Sequence, residues 1–287
     1  MKKTIRLLAL AIFIFTGSKL CAQEGKIILP GNTYIFEIKD GSNRTGRLDS
    51  TTAEYYFINN PAIGVDRISK RSVSKIKEIH LNKDGTFSNP HYSRYLFGPS
   101  ALPQTKGELY WNNVSFEYNT FQYGVTKNLS MGVGGFLFTS LSGNLVLLPN
   151  VKYSFTINEK SHIAVGALIA LFHSKSGGGT PSASLPFLVY TYGDSEANIS
   201  GGLGWANVSD YGWAPKPTGY LAGLKRIARN WVFQGEGYLL NNTSTNTIYI
   251  ATFRNIKPSS SWDFGIVSMH FEDFRLALPI IGYTLKF

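Results

Sequence analysis

The sequence predicts an all-β chain: a C-terminal transmembrane antiparallel β-barrel of twelve strands, or ten, preceded by a small β module. Three observations predict it. From residue 106 onward, apolar and polar residues alternate over stretches of roughly ten residues, each broken by turn residues; strand side chains point to opposite faces with this period of two. The chain opens on a secretory leader pattern. It stops on Ile281-Gly282-Tyr283-Thr284-Leu285-Lys286-Phe287, apolar at every second position up to a final aromatic. A soluble β-sandwich also alternates. Here, however, the apolar face is as continuous on the last strand as on the first. Tyr153, Phe155, Trp205, Trp231 and Trp262 also fall near strand ends, where membrane interfaces favour aromatics.

In the leader, Lys2, Lys3 and Arg6 precede the apolar run Leu7 to Phe15, and Cys21-Ala22-Gln23 offers a cleavage site after Ala22. Residues 1–22 therefore read as a signal peptide, with a core too short to span a bilayer as a helix. Acylation of Cys21 is the rival reading, but Lys19-Leu20 are charged and bulky where a lipidation motif wants small residues. Cleavage after Ala22 leaves no cysteine, which excludes disulfide, thiolate-metal and cysteine-nucleophile chemistry together. The formal charge of +10 includes Lys2, Lys3, Arg6 and Lys19 of the leader, and the rest is spread over both halves. No concentrated basic face remains, so nucleic acid is not an expected partner.

Residues 23–84 read as a small β module. Ile35 and Ile38 precede the turn signal Asp40-Gly41. Gly46-Arg47-Leu48 follows, then Tyr55, Phe57 and Ile58, and finally Val73, Ile76 and Ile79. Arg67, Lys70, Arg71, Lys75 and Lys77 form its one basic cluster, a solvated face or a patch for an acidic partner. Residues 85–105 hold three prolines without alternation and read as a linker.

The barrel, residues 106–287, takes ten strands near 129–140, 145–157, 161–172, 184–192, 197–208, 217–226, 231–241, 246–254, 262–270 and 276–287. The segment 107–126 supplies the rest. Its apolar parity slips, and a hairpin at Asn112-Asn113 makes the total twelve, whereas a single bulged strand would break the even count. Short connections at Thr126-Lys127-Asn128, Asn158-Glu159-Lys160 and Arg229-Asn230 alternate with longer ones at 139–144, 173–182, 209–217 and 240–246. That asymmetry puts the short turns in the periplasm and the long loops outside.

Two resemblances rest on these residues. The order strand, Asp-Gly turn, Gly-Arg-Leu strand and closing Ile-x-x-Ile resembles small Sm-like or SH3-like barrels, which implies a periplasmic spacer or docking module. The final strand resembles that of Gram-negative outer-membrane barrels. By that resemblance Tyr283, Leu285 and Phe287 form the signal read by the barrel-assembly machinery. Residues 89–113 are similar to the lead-in of outer-membrane barrels without an assigned activity, which implies location alone: the outer membrane, with lipid around the barrel and the module in the periplasm.

Chemistry is sparse. His173 with Ser174 and Ser176, and His270 with Glu272 and Asp273, are the candidates for a lipid hydrolase or acyltransferase. Neither shows a nucleophile, base and orienting group together, so no enzyme is expected. The histidines are never at ligand spacing, so no metal or cofactor is expected either. The inward parity is more informative: Gly132, Gly134, Ala164, Gly166, Ser200 and Gly202 are small, while Asn150, Lys152, Gln234 and Glu236 are polar. Phe136, Phe138, Leu168 and Phe172 also point inward, which makes the upper lumen partly apolar. The expected function is a narrow pore or a barrel that binds a small or apolar molecule. The alternative is a structural protein whose barrel anchors a docking module.

Overall fold

The computed structural model describes residues 28–60, 63–79, 81–82, 85–174, 182–241, 245–272 and 274–287. The expected signal peptide lies outside them. The chain divides into two compact units, Met1–Ile79 and His80–Phe287.

In the first unit, β1 (Thr33–Ile38), β2 (Asn43–Thr51), β3 (Tyr55–Asn60), β4 (Gly64–Ser69) and β5 (Val73–Ile79) form an antiparallel sheet in the order β4-β3-β2-β1-β5. Alternation sends Tyr34 and Phe36 inward to meet Leu48, Ile58 and Ile68 in one core. The Asp-Gly signal does turn the chain between β1 and β2. Gly41 sits at φ 87°, where a side chain would be strained, and the Ser42 N–H donates to Asp40 Oδ1 at 2.8 Å.

The second unit contains β6 (Leu109–Val114), β7 (Tyr118–Gly124), β8 (Leu129–Phe136), β9 (Leu145–Thr156), β10 (Ser161–His173), β11 (Ser182–Gly193), β12 (Ala197–Gly204), β13 (Asn207–Val208), β14 (Gly212–Trp213), β15 (Thr218–Ala228), β16 (Trp231–Asn241), β17 (Thr245–Lys257), β18 (Ser260–Phe271) and β19 (Phe274–Lys286). Twelve of these close into an antiparallel barrel; the short β13–β14 hairpin extends from β11. Closure is made by the chain's last residues. Tyr283 pairs with Asn113 and Leu285 with Trp111, and the Phe287 N–H donates to the Leu109 carbonyl at 2.9 Å. No sheet edge is left at the lower, short-turn end. Outward positions such as Val133, Phe155, Leu188, Leu221, Phe253 and Ile266 are exposed and apolar. A belt of that kind suits hydrocarbon rather than water. Among the described residues no helix is long and apolar enough to cross a membrane; the strands are the crossing elements.

The first hairpin corrects the expected turn position. It turns at Ser115 and Phe116, with φ of 51° and 63°, not at Asn112-Asn113. Two successive positive φ values are what a tight hairpin needs to match strand twist. Asn113 supports the turn from the side, its Oδ1 accepting the Phe116 N–H at 3.1 Å, while Asn112 points inward and donates to Thr284 Oγ1 at 3.0 Å. The parity slip has a cause as well. Val114 and Tyr118 are buried inward, whereas Tyr123 lies on the exposed outer face. The strand expected at 129–140 stops at Phe136, where a one-turn helix, α1 (Leu137–Leu141), begins. The Glu117 carboxylate accepts its Phe138 and Thr139 N–H groups at 2.7 and 3.3 Å. Because β6 and β7 are short, β19 has no strand partner on that side above Ile281 among the described residues. Pro279, which has no N–H to leave unpaired, falls on this free edge.

The linker expected at 85–105 is also corrected: this segment is folded inside the barrel. Tyr95 packs on Ala222, Leu224, Val232 and Ile256. Leu96 packs on Val114, Tyr118, Ile250 and Ile280, and Ala101 on Ala164 and Val189. All of these barrel residues occupy inward positions. A solvated linker would leave Tyr95 and Leu96 in water, whereas here they are fully buried.

Candidate functional site

The site is the lumen, and it has two halves. In the lower half, inward polar side chains bind the backbone of residues 93–102. This segment doubles back as a tight hairpin, with the Tyr95 N–H donating to the Gly98 carbonyl at 2.9 Å and the Ser100 N–H to Ser93 at 3.2 Å. Glu236, on β16, accepts the N–H groups of Leu96, Phe97 and Gly98 at 2.7, 3.1 and 2.7 Å, and the Tyr238 hydroxyl at 2.5 Å. Lys152, on β9, donates from Nζ to the carbonyls of Ser93, Ser100 and Leu102 at 2.9, 2.8 and 2.9 Å. The carboxylate thus satisfies the hairpin's donors and the ammonium its acceptors. Hydrogen bonds to charged groups are worth about 1.5–3 kcal/mol each. Gly98 is required by close approach, since a Cβ there would lie 2.4 Å from the Tyr220 hydroxyl.

Further down, Arg254 and Asp263, both 0% exposed, pair at 2.9 Å. Gln234 Nε2 donates to the same Asp263 oxygen at 3.0 Å. The other face of Arg254 binds the luminal segment at Asn89 Oδ1 and the His91 carbonyl, at 3.2 and 3.3 Å. Near the lower rim Arg226 donates to the Phe87 carbonyl at 2.8 Å and pairs with Glu196 at 2.5 Å.

Above the hairpin lies a cavity of about 550 Å³. Its walls are Phe136, Leu148, Leu168, Phe187, Ile248 and Met269, on β8 to β11, β17 and β18. Its floor is polar: Arg94, Gln122, Asn150 and Lys152 reach it. Arg94 donates from Nη2 to the Phe97 carbonyl. The Arg94 Nε and Asn150 Nδ2 atoms are buried with no hydrogen-bond partner.

Of the inward residues picked from parity, Lys152, Gln234 and Glu236 hold or brace the luminal segment and Asn150 sits at the cavity floor. Phe136 and Leu168 line the cavity; Phe138, in α1, is exposed, and Phe172 is half-exposed near the upper rim. The small inward residues make room for neighbours rather than for an open channel. A Cβ on Gly132 would lie 2.2 Å from Gln122, and one on Gly166 would lie 2.4 Å from Phe187. Arg94, Arg254 and Asp263 were missed by sequence reasoning. Asp263 and Arg254 share inward parity on adjacent strands, and that charge pair was the available signal.

The remaining candidates are scattered. In the module, Arg67 lies on edge strand β4, stacked over the Tyr55 ring at 4.6 Å. Lys75 and Lys77 lie on the opposite edge strand β5, and Lys70 and Arg71 in the single 3₁₀ turn between them. Burial pushes the Lys77 ammonium below its ordinary pKa, and Lys75 adds to this. The cluster is therefore distributed over two edges and a turn. His173 ends β10 at the exposed upper rim, next to Ser174; Ser176 and Asp273 lie outside the described residues. His270 Nε2 is 2.8 Å from Ser268 Oγ on the outer face. Its register neighbours, Thr247 and Arg275, carry no carboxylate to orient it, and Glu272 lies in the turn beyond. Among the described residues no three His, Cys, Asp or Glu gather as a metal site.

No family model matches the chain, and no curated protein matches it. Solved structures that it resembles include a NanC porin, at 10% identity and TM-score 0.40, covering 63% of this chain and 99% of the porin. Another is the CymD monoaromatic hydrocarbon channel, at 10% identity and TM-score 0.37, covering 90% and 89% of the two chains. These likenesses are too distant to bear on ligand or mechanism.

Proposed function

We propose that this chain is an integral outer-membrane barrel that takes a small, mostly apolar molecule into the upper half of its lumen, with residues 86–105 closing the lower half. The observation that carries the reading is the apolar cavity of about 550 Å³ resting on the hairpin held by Glu236 and Lys152. Apolar clefts of this size with a few convergent polar groups are the usual form of a small-molecule site. The leader pattern, the closed twelve-stranded ring and the apolar outer belt support the location, with Tyr283, Leu285 and Phe287 as the assembly signal.

The test is saturable binding of the neutral fluorophore 1-N-phenylnaphthylamine to the full chain in lipid nanodiscs, with empty discs subtracted. Wild type should bind, and Val267→Trp, which fills the cavity from β18, should not. No saturable binding by wild type, or equal binding by both, overturns the cavity reading.

The filled lower lumen favours a second reading. A barrel closed in this way would serve as an anchor for the module, whose Arg67, Lys70, Arg71, Lys75 and Lys77 suit an acidic periplasmic partner. A barrel that neither binds the fluorophore nor conducts in a planar bilayer would support that alternative.

A further inference from the structure

We infer that the cavity's ligand is an amphipathic monoanion, a carboxylate on a hydrocarbon or aromatic body, whose head group sits on Arg94 and Asn150. This rests on the cavity being a binding site and adds the chemical class of its occupant.

The argument is one of charge and unmet hydrogen bonds. An acidic and two basic side chains meet between the luminal hairpin and the cavity: Glu236, Lys152 and Arg94. Glu236 is occupied by three peptide N–H groups and the Tyr238 hydroxyl. Lys152 is occupied by three carbonyls, which are neutral. Arg94 makes one bond to a carbonyl, and its Nε has no partner. Among the described residues no ion pair includes Arg94 or Lys152. The deeper cation, Arg254, has its own anion in Asp263. Arg94 is thus a buried cation without an ion-pair partner among the described residues, and a buried charge that is not paired is costly.

The two residues with unmet donors lie together. Asn150 and Lys152 are successive inward positions on β9, and Lys152 holds the Ser93 carbonyl, next to Arg94. Arg94 and Asn150 both line the cavity floor, and each carries a buried donor, Nε and Nδ2, that no protein acceptor meets. A carboxylate there would accept from a guanidinium, which suits its planar geometry, and from an amide N–H. Phe136, Leu148, Leu168 and Phe187 leave only an apolar environment for the rest of the molecule.

The experiment titrates the full chain in nanodiscs with cis-parinarate and with its methyl ester at mildly alkaline pH, reading parinaroyl fluorescence after subtraction of empty discs. Wild type should bind the acid about tenfold or more tighter than the ester, the size expected for a charged hydrogen bond. Arg94→Gln should reduce acid affinity to that of the ester. Asn150→Asp places an anion in the head-group position without removing Arg94, so it should fold even where Arg94→Gln does not, and should likewise lose the preference. Equal binding of acid and ester by wild type, or a preference that survives either folded variant, overturns the inference while leaving the cavity reading intact. If neither probe binds saturably, or Val267→Trp binds both as wild type does, the cavity reading itself fails, and the inference with it.

Discussion

The two halves of the lumen are built from the same strands and differ in what they face. On β9 the inward column runs Ser154, Lys152, Asn150 and then Leu148; on β17 it runs Arg254, Thr252, Ile250 and Ile248; on β18, Ser261, Asp263, Gly265, Val267 and Met269. Polar residues in these columns meet the backbone of residues 86–105, Ile250 and Ile256 pack on its Leu96 and Tyr95 side chains, and the residues above are apolar. Irregular backbone inside a barrel carries N–H and C=O groups that no ladder satisfies. Lower side chains meet that need, whereas upper ones face a cavity that asks nothing polar of its walls. A strand's inward parity thus marks the lumen, and the chemistry along it marks what fills the lumen.

Breaking the lower half should have the largest effect. Asp263→Ala leaves the buried Arg254 guanidinium without its carboxylate, a change that typically costs about 3–5 kcal/mol. Equilibrium urea unfolding in lipid vesicles should show that loss, and a cost under about 0.5 kcal/mol, the range of ordinary surface changes, would mean the pair does not hold the lower half. Glu236→Ala comes next. It removes the acceptor of the Leu96, Phe97 and Gly98 N–H groups, at about 1–3 kcal/mol for an orphaned buried donor. The hairpin should loosen, so that trypsin cuts after Arg94 in the folded barrel and stepwise conductance appears in a planar bilayer. A variant that stays resistant and silent would show that Lys152 and the Tyr95 contacts hold the segment alone.

Much of this was legible in the sequence. Strand parity placed ten strands and the inward side of Asn150, Lys152, Gln234 and Glu236, because a period of two is a local property, and the break in that period within 107–126 supplied the other two. The partner of those side chains was not legible. Residues 85–105 have no period, and Glu236 is 138 to 140 positions away from the N–H groups it binds. Three prolines and the lack of alternation gave the segment the look of a linker. Tyr95, Leu96 and Phe97 argued the other way, since a solvated linker gains nothing from three large apolar residues in a row. The first hairpin was misplaced because two asparagines are a stronger turn signal than Ser115-Phe116, whose positive φ values depend on Asn113 bonding from outside the turn.

The smallest expected effect gives the sharpest comparison between the halves. Val232 lies in the lower half, fully buried against Tyr95, Leu224 and Ile256. Leu168 lies in the upper half, half-buried and facing the cavity. Val232→Ala removes two methyl groups from close packing, and with the space it leaves should cost about 2 kcal/mol. Leu168→Ala removes a larger group, yet part of that group already faces empty volume and forfeits few contacts, so about 1 kcal/mol or less is expected. The larger deletion should therefore be the milder one, measured by the same urea unfolding. It should also change the affinity for 1-N-phenylnaphthylamine, which Val232→Ala should leave alone. If Leu168→Ala costs more than Val232→Ala, the upper half is packed rather than open, and the difference between the two halves of the lumen disappears.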